Sequence, residues 1–439
     1  MALLLSPLTN KIHKVLIITS SGGGGLLQAA NAKEQEVKGK NPSAIVVRRD
    51  VMTDLIWPFG KLCVAGWNKA QIKGNVRIQS NLGRSNRIAD RLFWLHIFFF
   101  TLKLLFKEDI DQVIDTQVLG TSAIIKAIRF FNRRRKKQVY LEKVLVDLPT
   151  KKATHFFLAI KALKPVDRKH FKLITIPPML EKGETEEDFW RVNCNLTVSE
   201  LQYEDYYIRK SFSKYRNLDR KAETMALKTR YQTQEERRLI EETIRRGKNE
   251  FSSFGEERKE VEFIIPPSAF VCTILLGSQP ASDATFNYVK KFIEIAKEKK
   301  GQNPSIYLFV YCANHQPKQQ TLFQRVVDLV TSLADYPSSL TVIPMSFQNE
   351  DVIAPLFFRS DITCTRSGGQ TAMELMSVAR GQIWVHSEAK KEIGTLTNEE
   401  LLAGIPCWES ASAAYLQQAR NAKIVTPDTF APLVYDLLS

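Results

Sequence analysis

The run K-V-L-I-I-T-S-S-G-G-G-G at residues 14–25 decides the fold of the first half of the chain. Its apolar part, Lys14–Ser20, predicts a buried strand, and the four glycines that follow predict a turn. Residues Leu26–Val37 then predict a helix, and Ser43–Arg48 predict a second strand. A strand, a glycine-rich turn, a helix and a strand in this order are typical of the start of a doubly wound α/β domain.

Apolar runs of strand length recur in two groups along the rest of the chain. The first group comprises Gln112–Thr116, Val139–Asp147, Lys172–Ile176 and Asn195–Ser199. The second group comprises Phe270–Leu276, Ser305–Tyr311, Leu340–Pro344, Ile362–Thr365 and Gln382–His386. Helix-favouring segments fill the gaps, which favours parallel pairing with right-handed crossovers. The sequence therefore predicts an α/β protein with two Rossmann-like, doubly wound domains that face a cleft.

Changes in composition predict the domain boundaries. We expect an N-terminal domain at residues 1–204, a charged helical linker or insert at 205–262 and a C-terminal domain at 263–425. A last helix at 426–439 is expected to pack back on the N-terminal domain. The linker contains the run Q-E-E-R-R-L-I-E-E-T-I-R-R from Gln234, which favours a solvated helix over a core element.

The composition restricts the class of protein and of ligand. The 439 residues carry a formal charge of +15, which favours a polyanionic partner such as a phosphorylated small molecule or an anionic lipid surface. Nucleic acid is not expected, because no zinc knuckle, helix-turn-helix pattern or aromatic-basic interleaving occurs. The six cysteines include no C-x-x-C pair, so neither a metal site nor a cofactor is predicted. No signal peptide or spanning segment is recognisable, so we expect a cytoplasmic protein.

Two turns in the second half have the composition of anion-binding loops. G-S-Q at 277–279 follows the strand T-I-L-L, and R-S-G-G-Q-T at 366–371 follows the strand D-I-T-C-T and opens a helix. The N–H groups and the macrodipole at a helix start favour a diphosphate, to which Arg366 would add positive charge. One turn further on, the Glu374 carboxylate would accept two ribose hydroxyls. The alternative is that Ser367 and Glu374 merely cap the helix.

Three runs in this half resemble a known family. They are L-L-G-S-Q-P-A from Leu275, V-I-P-M-S-F from Val342 and R-S-D-I-T-C-T-R-S-G-G-Q-T-A-M-E-L from Arg359. The pattern resembles the donor half of the MurG N-acetylglucosaminyltransferases, which the monogalactosyldiacylglycerol synthases share. The resemblance implies a GT-B fold and metal-independent transfer from a UDP-sugar. It implies sugar or phosphate contacts for Gly277, Ser278 and Gln279, diphosphate contacts for Ser367, Gly368, Gly369 and Gln370, a ribose contact for Glu374 and base contacts for Ser346 and Phe347.

The first half resembles these families more loosely. Its glycine loop (Ser21, Gly22, Gly23, Gly24 and Gly25) resembles their acceptor-side loop, although this chain has Leu26 where they have histidine. The run V-D-L-P-T-K-K-A-T-H-F-F from Val146 resembles a segment of the galactolipid synthases, which makes Asp147 and His155 candidates for deprotonating an acceptor hydroxyl. A strand-end cap and a packed loop histidine are the alternatives. Asp115, at another strand end, is a third candidate base.

Two further segments bear on function. The families carry a glutamine- or asparagine-rich segment that contacts the donor sugar, and the equivalent region, His386–Leu402, offers only Asn398 and Glu399. The run R-L-F-W-L-H-I-F-F-F-T-L-K-L-L-F-K at residues 91–107 has the composition of an interfacial helix and, with the basic residues at 129–137, would contact an anionic membrane. The alternative is a buried crossover helix beside a solvated basic face.

These features favour a glycosyltransferase that moves a sugar from a nucleotide diphosphate to an acceptor on the N-terminal domain. The acceptor class (lipid, glycan or protein) stays open. A nucleotide-sugar 2-epimerase shares the two-domain architecture and is the second hypothesis. A non-catalytic nucleotide-binding or membrane-associated module is the third, motivated by Leu26 and by the altered donor segment.

Overall fold

The computed structural model describes residues 13–21, 24–56, 59–221, 223–247, 253–255, 259–299, 304–313, 321–390 and 395–438. Two six-stranded parallel sheets dominate the molecule, one in each half of the chain. Helices follow the strands and cover the sheets. The predicted fold class is therefore confirmed: the protein is an α/β protein of two Rossmann-like domains, the arrangement of the GT-B type.

The N-terminal sheet alternates strands with helices. Its strands are β1 (Lys14–Thr19), β2 (Ile45–Asp50), β3 (Gln112–Asp115), β4 (Leu141–Val144), β5 (Phe171–Thr175) and β6 (Leu201–Tyr203). Its helices are α1 (Gly24–Lys40), α2 (Phe59–Ile72), α3 (Val76–Leu92), α4 (Trp94–Glu108), α5 (Thr121–Arg135), α6 (Thr154–Lys161), α7 (Pro165–Arg168) and α8 (Glu186–Cys194). The strand order is β2-β1-β3-β4-β5-β6, so the carboxyl ends of β1 and β3 flank the crevice where the strand order reverses.

The C-terminal domain has the strand order of the dinucleotide-binding fold. Its strands are β10 (Phe270–Leu275), β11 (Ile306–Tyr311), β12 (Leu340–Met345), β13 (Ile362–Thr365), β14 (Gln382–His386) and β15 (Lys423–Val425). Its helices are α11 (Ser282–Glu298), α12 (Leu322–Ser332), α13 (Glu350–Arg359), α14 (Gly369–Val378), α15 (Asn398–Ala403), α16 (Cys407–Arg420) and α17 (Pro427–Leu437). The order β12-β11-β10-β13-β14-β15 places the reversal between β10 and β13.

The segment between the domains is more ordered than the sequence predicts. It holds α9 (Lys210–Ser213), β7 (Met225–Arg230), α10 (Gln234–Arg246), β8 (Ser253–Gly255) and β9 (Glu260–Ile265), and β7 and β8 both pair antiparallel with β9. The interpretation of α10 as a solvated linker helix is wrong, because Leu239, Ile240 and Ile244 are buried where the helix packs on α12 and β12. Its charged residues pair with each other on the outer face.

Two other expectations are corrected. The predicted strand Asn195–Ser199 is instead a turn that leads into β6, which begins at Leu201. The last helix, α17, packs on α11 of its own domain, where Phe430 contacts Tyr288 and Phe292. Helix α16 does reach the N-terminal domain, where its Trp408 stacks on Trp67 of α2, and α14 contacts α1.

Residues 91–107 form the end of α3 and most of α4, which has one buried and one exposed apolar face. Ile97, Leu104 and Leu105 are buried where α4 packs on α5, as in a crossover helix. On the other face Leu95 and Phe99 are 58% and 62% exposed. None of the helices in the described part of the chain combines the length and apolarity that a bilayer crossing needs.

Candidate functional site

The two predicted anion-binding turns lie side by side at the reversal of the C-terminal sheet. Gly277 follows β10 with a φ of +87°, and Gly368 precedes α14 at the end of β13. The Thr365 hydroxyl donates a 2.8 Å hydrogen bond to the Leu275 carbonyl oxygen and so ties the two strand ends together. Turns separated by about 90 residues in the sequence are thereby joined in one crevice, where ligands of this fold bind.

The start of α14 has no side-chain cap. Ser367 does not bond to its own helix, because its hydroxyl donates to the Glu409 carbonyl oxygen at 2.7 Å. The capping alternative for Ser367 and Glu374 is therefore wrong. A Cβ atom added to Gly368 would meet nothing within 4 Å, so there is open space beside this residue at the helix start. An uncapped helix start that borders open space is suited to an anion.

Glu374 is held by an arginine that the sequence did not single out. Arg209 donates from Nε and Nη2 to the two carboxylate oxygens, at 2.7 and 2.8 Å, and the Gln370 amide donates at 3.2 Å. Burial lowers the pKa of Arg209, but Glu374 opposes this and the net pKa lies above the ordinary value. Glu374 is 2% exposed. The carboxylate predicted to bind ribose thus joins the interdomain segment to α14.

Arg366 does not present its charge to the open side of the turn. Its guanidinium pairs with Glu409 of α16, with Nη2 3.1 Å from the carboxylate, and donates to the Gln79 amide oxygen of α3 at 2.7 Å. Burial raises the pKa of Glu409, and Arg366 counteracts this rise. The predicted contact of Arg366 with a diphosphate has no support in this arrangement, because both of its partners are protein groups.

The two residues predicted to hold the base lie at the end of β12. The Ser346 hydroxyl is buried and donates to Glu236 at 2.9 Å. Phe347 is half-exposed, and its carbonyl oxygen accepts from the Gln232 amide at 3.3 Å. Since β12 is an edge strand, two strands away from β10, these residues lie at a distance from the reversal of the sheet.

The glycine loop of the N-terminal domain faces the C-terminal turns closely. A Cβ atom on Gly24 would lie 2.8 Å from Ser278 Oγ, and one on Gly25 would lie 3.9 Å from Gln370 Cβ. Ser21 Oγ is buried and has no hydrogen-bond partner among the described residues. Gly22 and Gly23 lie outside the described residues. The first residues of α1 thus lie opposite the α14 turn.

The three candidate bases have different surroundings. Asp147 follows β4 at the cleft, and a Cβ atom on Gly369 would lie only 2.6 Å from its Oδ1. The structure argues against Asp115, because it is fully buried with Lys143 Nζ at 2.8 Å from its carboxylate. Burial raises the pKa of Asp115, and Lys143 opposes this effect. The side chain of His155, near the start of α6, lies outside the described residues.

The predicted donor-sugar segment is replaced by a different helix. Asn398 and Glu399 are exposed at the start of α15, where Asn398 accepts from Gln417 at 2.9 Å. Instead, Trp408 and Glu409 in the first turn of α16 border the space in front of Gly368. The tryptophan and glutamate two and three residues after Pro406, at a helix start, were the only sequence signal for this contact.

A cavity of about 240 Å³ lies between the domains at this point. Gly24, Gly25, Gly368 and Gly369 border one end of it together with Asp147. Side chains from α2, α3 and α16 form the remainder. The structure therefore brings the glycine loop, the α14 turn and one candidate base around a single space.

Comparisons with known proteins do not show a family for this chain. No protein-family model matches the chain, and no curated protein matches it. Among solved structures it is similar to MurG of Acinetobacter baumannii, at 12% identity over 97% of this chain and 91% of that one, with a TM-score of 0.44. It is also similar to a UDP-N-acetylglucosamine 2-epimerase, at 9% identity over 98% of this chain and 88% of that one, with a TM-score of 0.45. A UDP-glucosyltransferase from Polygonum tinctorium is similar at 10% identity over 98% of this chain and 91% of that one, also with a TM-score of 0.45. Identities this low carry no activity over to this chain.

Proposed function

We propose that the protein is a glycosyltransferase that moves a sugar from a nucleotide diphosphate, UDP in particular, to a hydroxyl held by the N-terminal domain. The observation that carries this proposal is the uncapped start of α14, which borders open space beside Gly277 at the reversal of the sheet. Backbone N–H groups there would stabilise the charge that builds on the leaving diphosphate, so the transfer would need no metal.

The proposed reaction uses Asp147 as the base. The acceptor oxygen attacks the anomeric carbon of the sugar, and its proton passes to the Asp147 carboxylate. The bond between the anomeric carbon and the terminal phosphate oxygen breaks, and the nucleoside diphosphate leaves with the bonding electrons. Asp147 lies at the Gly368–Gly369 end of the cavity, which supports this role because the base must lie near both the acceptor and the leaving group.

Glu374 retains some capacity to bind a ribose. A carboxylate has about four lone-pair sites, of which Arg209 occupies two and Gln370 one. The remaining site would accept one ribose hydroxyl. Since Glu374 is buried in the closed arrangement, we propose that the nucleotide binds when the domains are further apart. Gly277, Ser278 and Gln279 would then lie beside the sugar and the phosphates, and Phe347 beside the base.

Replacing Gly368 with alanine tests the diphosphate position. The added methyl would fit the protein, since it meets nothing within 4 Å and the φ of −57° suits alanine. It would, however, fill the space in front of the α14 amides. We expect the UDP affinity to fall about tenfold or more, through one lost hydrogen bond to a charged group. The thermal unfolding temperature should not change. Calorimetric titration and thermal unfolding measure the two quantities.

Gly39→Ala is the matched control for this substitution. Gly39 lies near the end of α1, and a Cβ atom there also meets nothing within 4 Å. The control should bind UDP as the unchanged protein does. If Gly368→Ala also bound UDP with full affinity, the diphosphate would not lie on the α14 turn.

We also propose a peripheral contact with an anionic membrane. Leu62 of α2, together with Ile88 and Leu92 of α3, is about 70% exposed, and these helices contact each other. Helix α4, whose exposed face carries Leu95 and Phe99, begins two residues after the end of α3. The exposed basic residues are Arg133–Lys136, whereas Arg129 and Lys137 at the ends of the predicted 129–137 patch pair with acidic side chains. Exposed apolar helix faces together with basic residues on the same domain are typical of an interfacial surface.

Replacing Leu92 and Leu95 together with serine should weaken vesicle binding. Each leucine that enters the interface contributes up to about 1.5–3 kcal/mol, so we expect at least about a tenfold loss. Sedimentation with phosphatidylglycerol vesicles measures this loss of vesicle binding. The control replaces Val192 and Leu218, which are 58% and 51% exposed on other elements. Equal binding by both double variants would contradict the proposed surface.

A further inference from the structure

The cavity between the domains has a lining that restricts what it can bind. Its walls are formed largely by apolar side chains, which include Leu26, Ile56, Val64, Leu82, Phe93 and Phe156. None of the described residues that line it is a lysine, an arginine or a histidine. Among the described residues, the charged side chains at its border are Asp147 and Glu409, and Glu409 is paired with Arg366. Away from the α14 turn at its Gly368–Gly369 end, the cavity offers an anionic ligand no described cation.

The shape of the cavity favours a flat ligand. Trp67 and Trp408 stack with their ring centroids 5.2 Å apart and their planes 26° apart. A Cβ atom on Gly83 would lie 2.5 Å from Trp408 Cζ3, so the indole lies directly against the backbone of α3. At about 240 Å³ the cavity is slightly smaller than the 300–1,000 Å³ of pockets that hold drug-sized ligands. It therefore suits a small planar molecule better than a long chain.

Two buried polar atoms in the lining have no partner. The N–H group of Trp67 Nε1 finds no acceptor among the described residues. Gln117 Oε1 likewise accepts no hydrogen bond from them, although the amide nitrogen of the same side chain donates to the Leu119 carbonyl oxygen. Buried polar groups are normally hydrogen-bonded, and leaving one unpaired costs about 1–3 kcal/mol. A ligand oxygen that accepts from the Trp67 indole would remove that cost.

We propose that this cavity binds a neutral, flat, mainly apolar alcohol as the acceptor. Its hydroxyl lies at the Asp147 end, its rings lie among Leu82, Phe93 and Trp408, and a second oxygen accepts from Trp67 Nε1. The acceptor role rests on the proposed transferase function, whereas binding itself does not.

Calorimetric titration with 4-methylumbelliferone at pH 6, where this phenol is neutral, tests the proposal. The molecule is flat and has its hydroxyl and its carbonyl at opposite ends. Ala89 lines the cavity, so Ala89→Leu should fill it and lower the affinity about tenfold or more. Ala65→Leu, which adds the same atoms on the exposed side of α2, should bind normally. Trp67→Phe should lower the affinity for 4-methylumbelliferone but not for 2-naphthol, which has no second oxygen.

UDP titrations of the same variants separate the two proposals. If UDP binds but 4-methylumbelliferone does not, the cavity proposal is overturned and the transferase proposal stands. The same holds if Ala89→Leu binds 4-methylumbelliferone as tightly as Ala65→Leu does. If 4-methylumbelliferone binds as expected and UDP does not, the cavity remains a binding site but its acceptor role is lost. Binding of dodecanol in preference to 4-methylumbelliferone would overturn the flat-ligand proposal.

Discussion

Replacing Glu374 with alanine should lower the free energy of unfolding by about 3–5 kcal/mol, because Arg209 would stay buried without its carboxylate partner. The side chain of Arg209 is 12% exposed and both of its bonds to Glu374 are shorter than 3 Å. Loss of a ribose ligand alone would leave stability unchanged. Urea denaturation of the variant measures the difference. A change below about 1 kcal/mol would show that the pair is not a buried ion pair in solution.

A double variant separates stability from nucleotide binding. Arg209→Met with Glu374→Leu replaces the pair with apolar side chains of similar volume, which is often neutral or stabilising in a buried site. We expect the double variant to recover most of the stability that Glu374→Ala loses, because the two positions interact directly. If this stable variant still fails to bind UDP, the carboxylate serves the ribose. If it binds UDP normally, Glu374 has a structural role only.

Replacing Asp147 with asparagine should lower kcat for sugar transfer by about 10²–10⁴-fold, because the amide cannot take the acceptor proton. The UDP affinity and the unfolding temperature should stay nearly unchanged, since the asparagine side chain keeps the shape that packs beside Gly369. Release of UDP from a UDP-sugar in the presence of an acceptor measures the rate. Asp283→Asn, on the exposed start of α11, is the control.

Two outcomes would count against this assignment of the base. Full activity in Asp147→Asn would exclude it and would direct attention to His155. Formation of an epimeric sugar, detected by NMR when the unchanged protein is incubated with a UDP-sugar and no acceptor, would favour the epimerase hypothesis instead. Slow hydrolysis to free sugar and UDP would agree with a transferase.

The sequence was most informative where local pattern determines local structure. The run at residues 14–20 predicted β1 and the segment 26–37 predicted α1, which begins two residues earlier, at Gly24, because a buried strand and a helix are readable from neighbouring residues alone. The turn at 277–279 and the turn at 366–371 could be linked to each other because both follow strands of one predicted sheet. Their closeness depends only on strand order.

The contacts that the sequence did not reveal all join distant segments. Arg209 reaches Glu374 across 165 residues, and Arg366 reaches Gln79 across 287. A charged residue has no pattern that shows which distant partner it will meet. The burial of α10 was missed for another reason, since its apolar residues Leu239, Ile240 and Ile244 are few beside its many charges. The many charges led to the prediction of a solvated helix, although the apolar residues had the spacing of a helix with one buried face.

The contact at Gly369 has a consequence for the order of events. A Cβ atom there would lie 2.2 Å from the Val146 carbonyl oxygen, so in the closed arrangement the two domains meet backbone to backbone at the α14 turn. A diphosphate has no path past such a contact, whereas the cavity for the smaller ligand is complete only after the domains have met. For the proposed transfer we therefore expect the nucleotide to arrive before the domains meet and to depart after they separate, so that domain separation would be a step in each turnover.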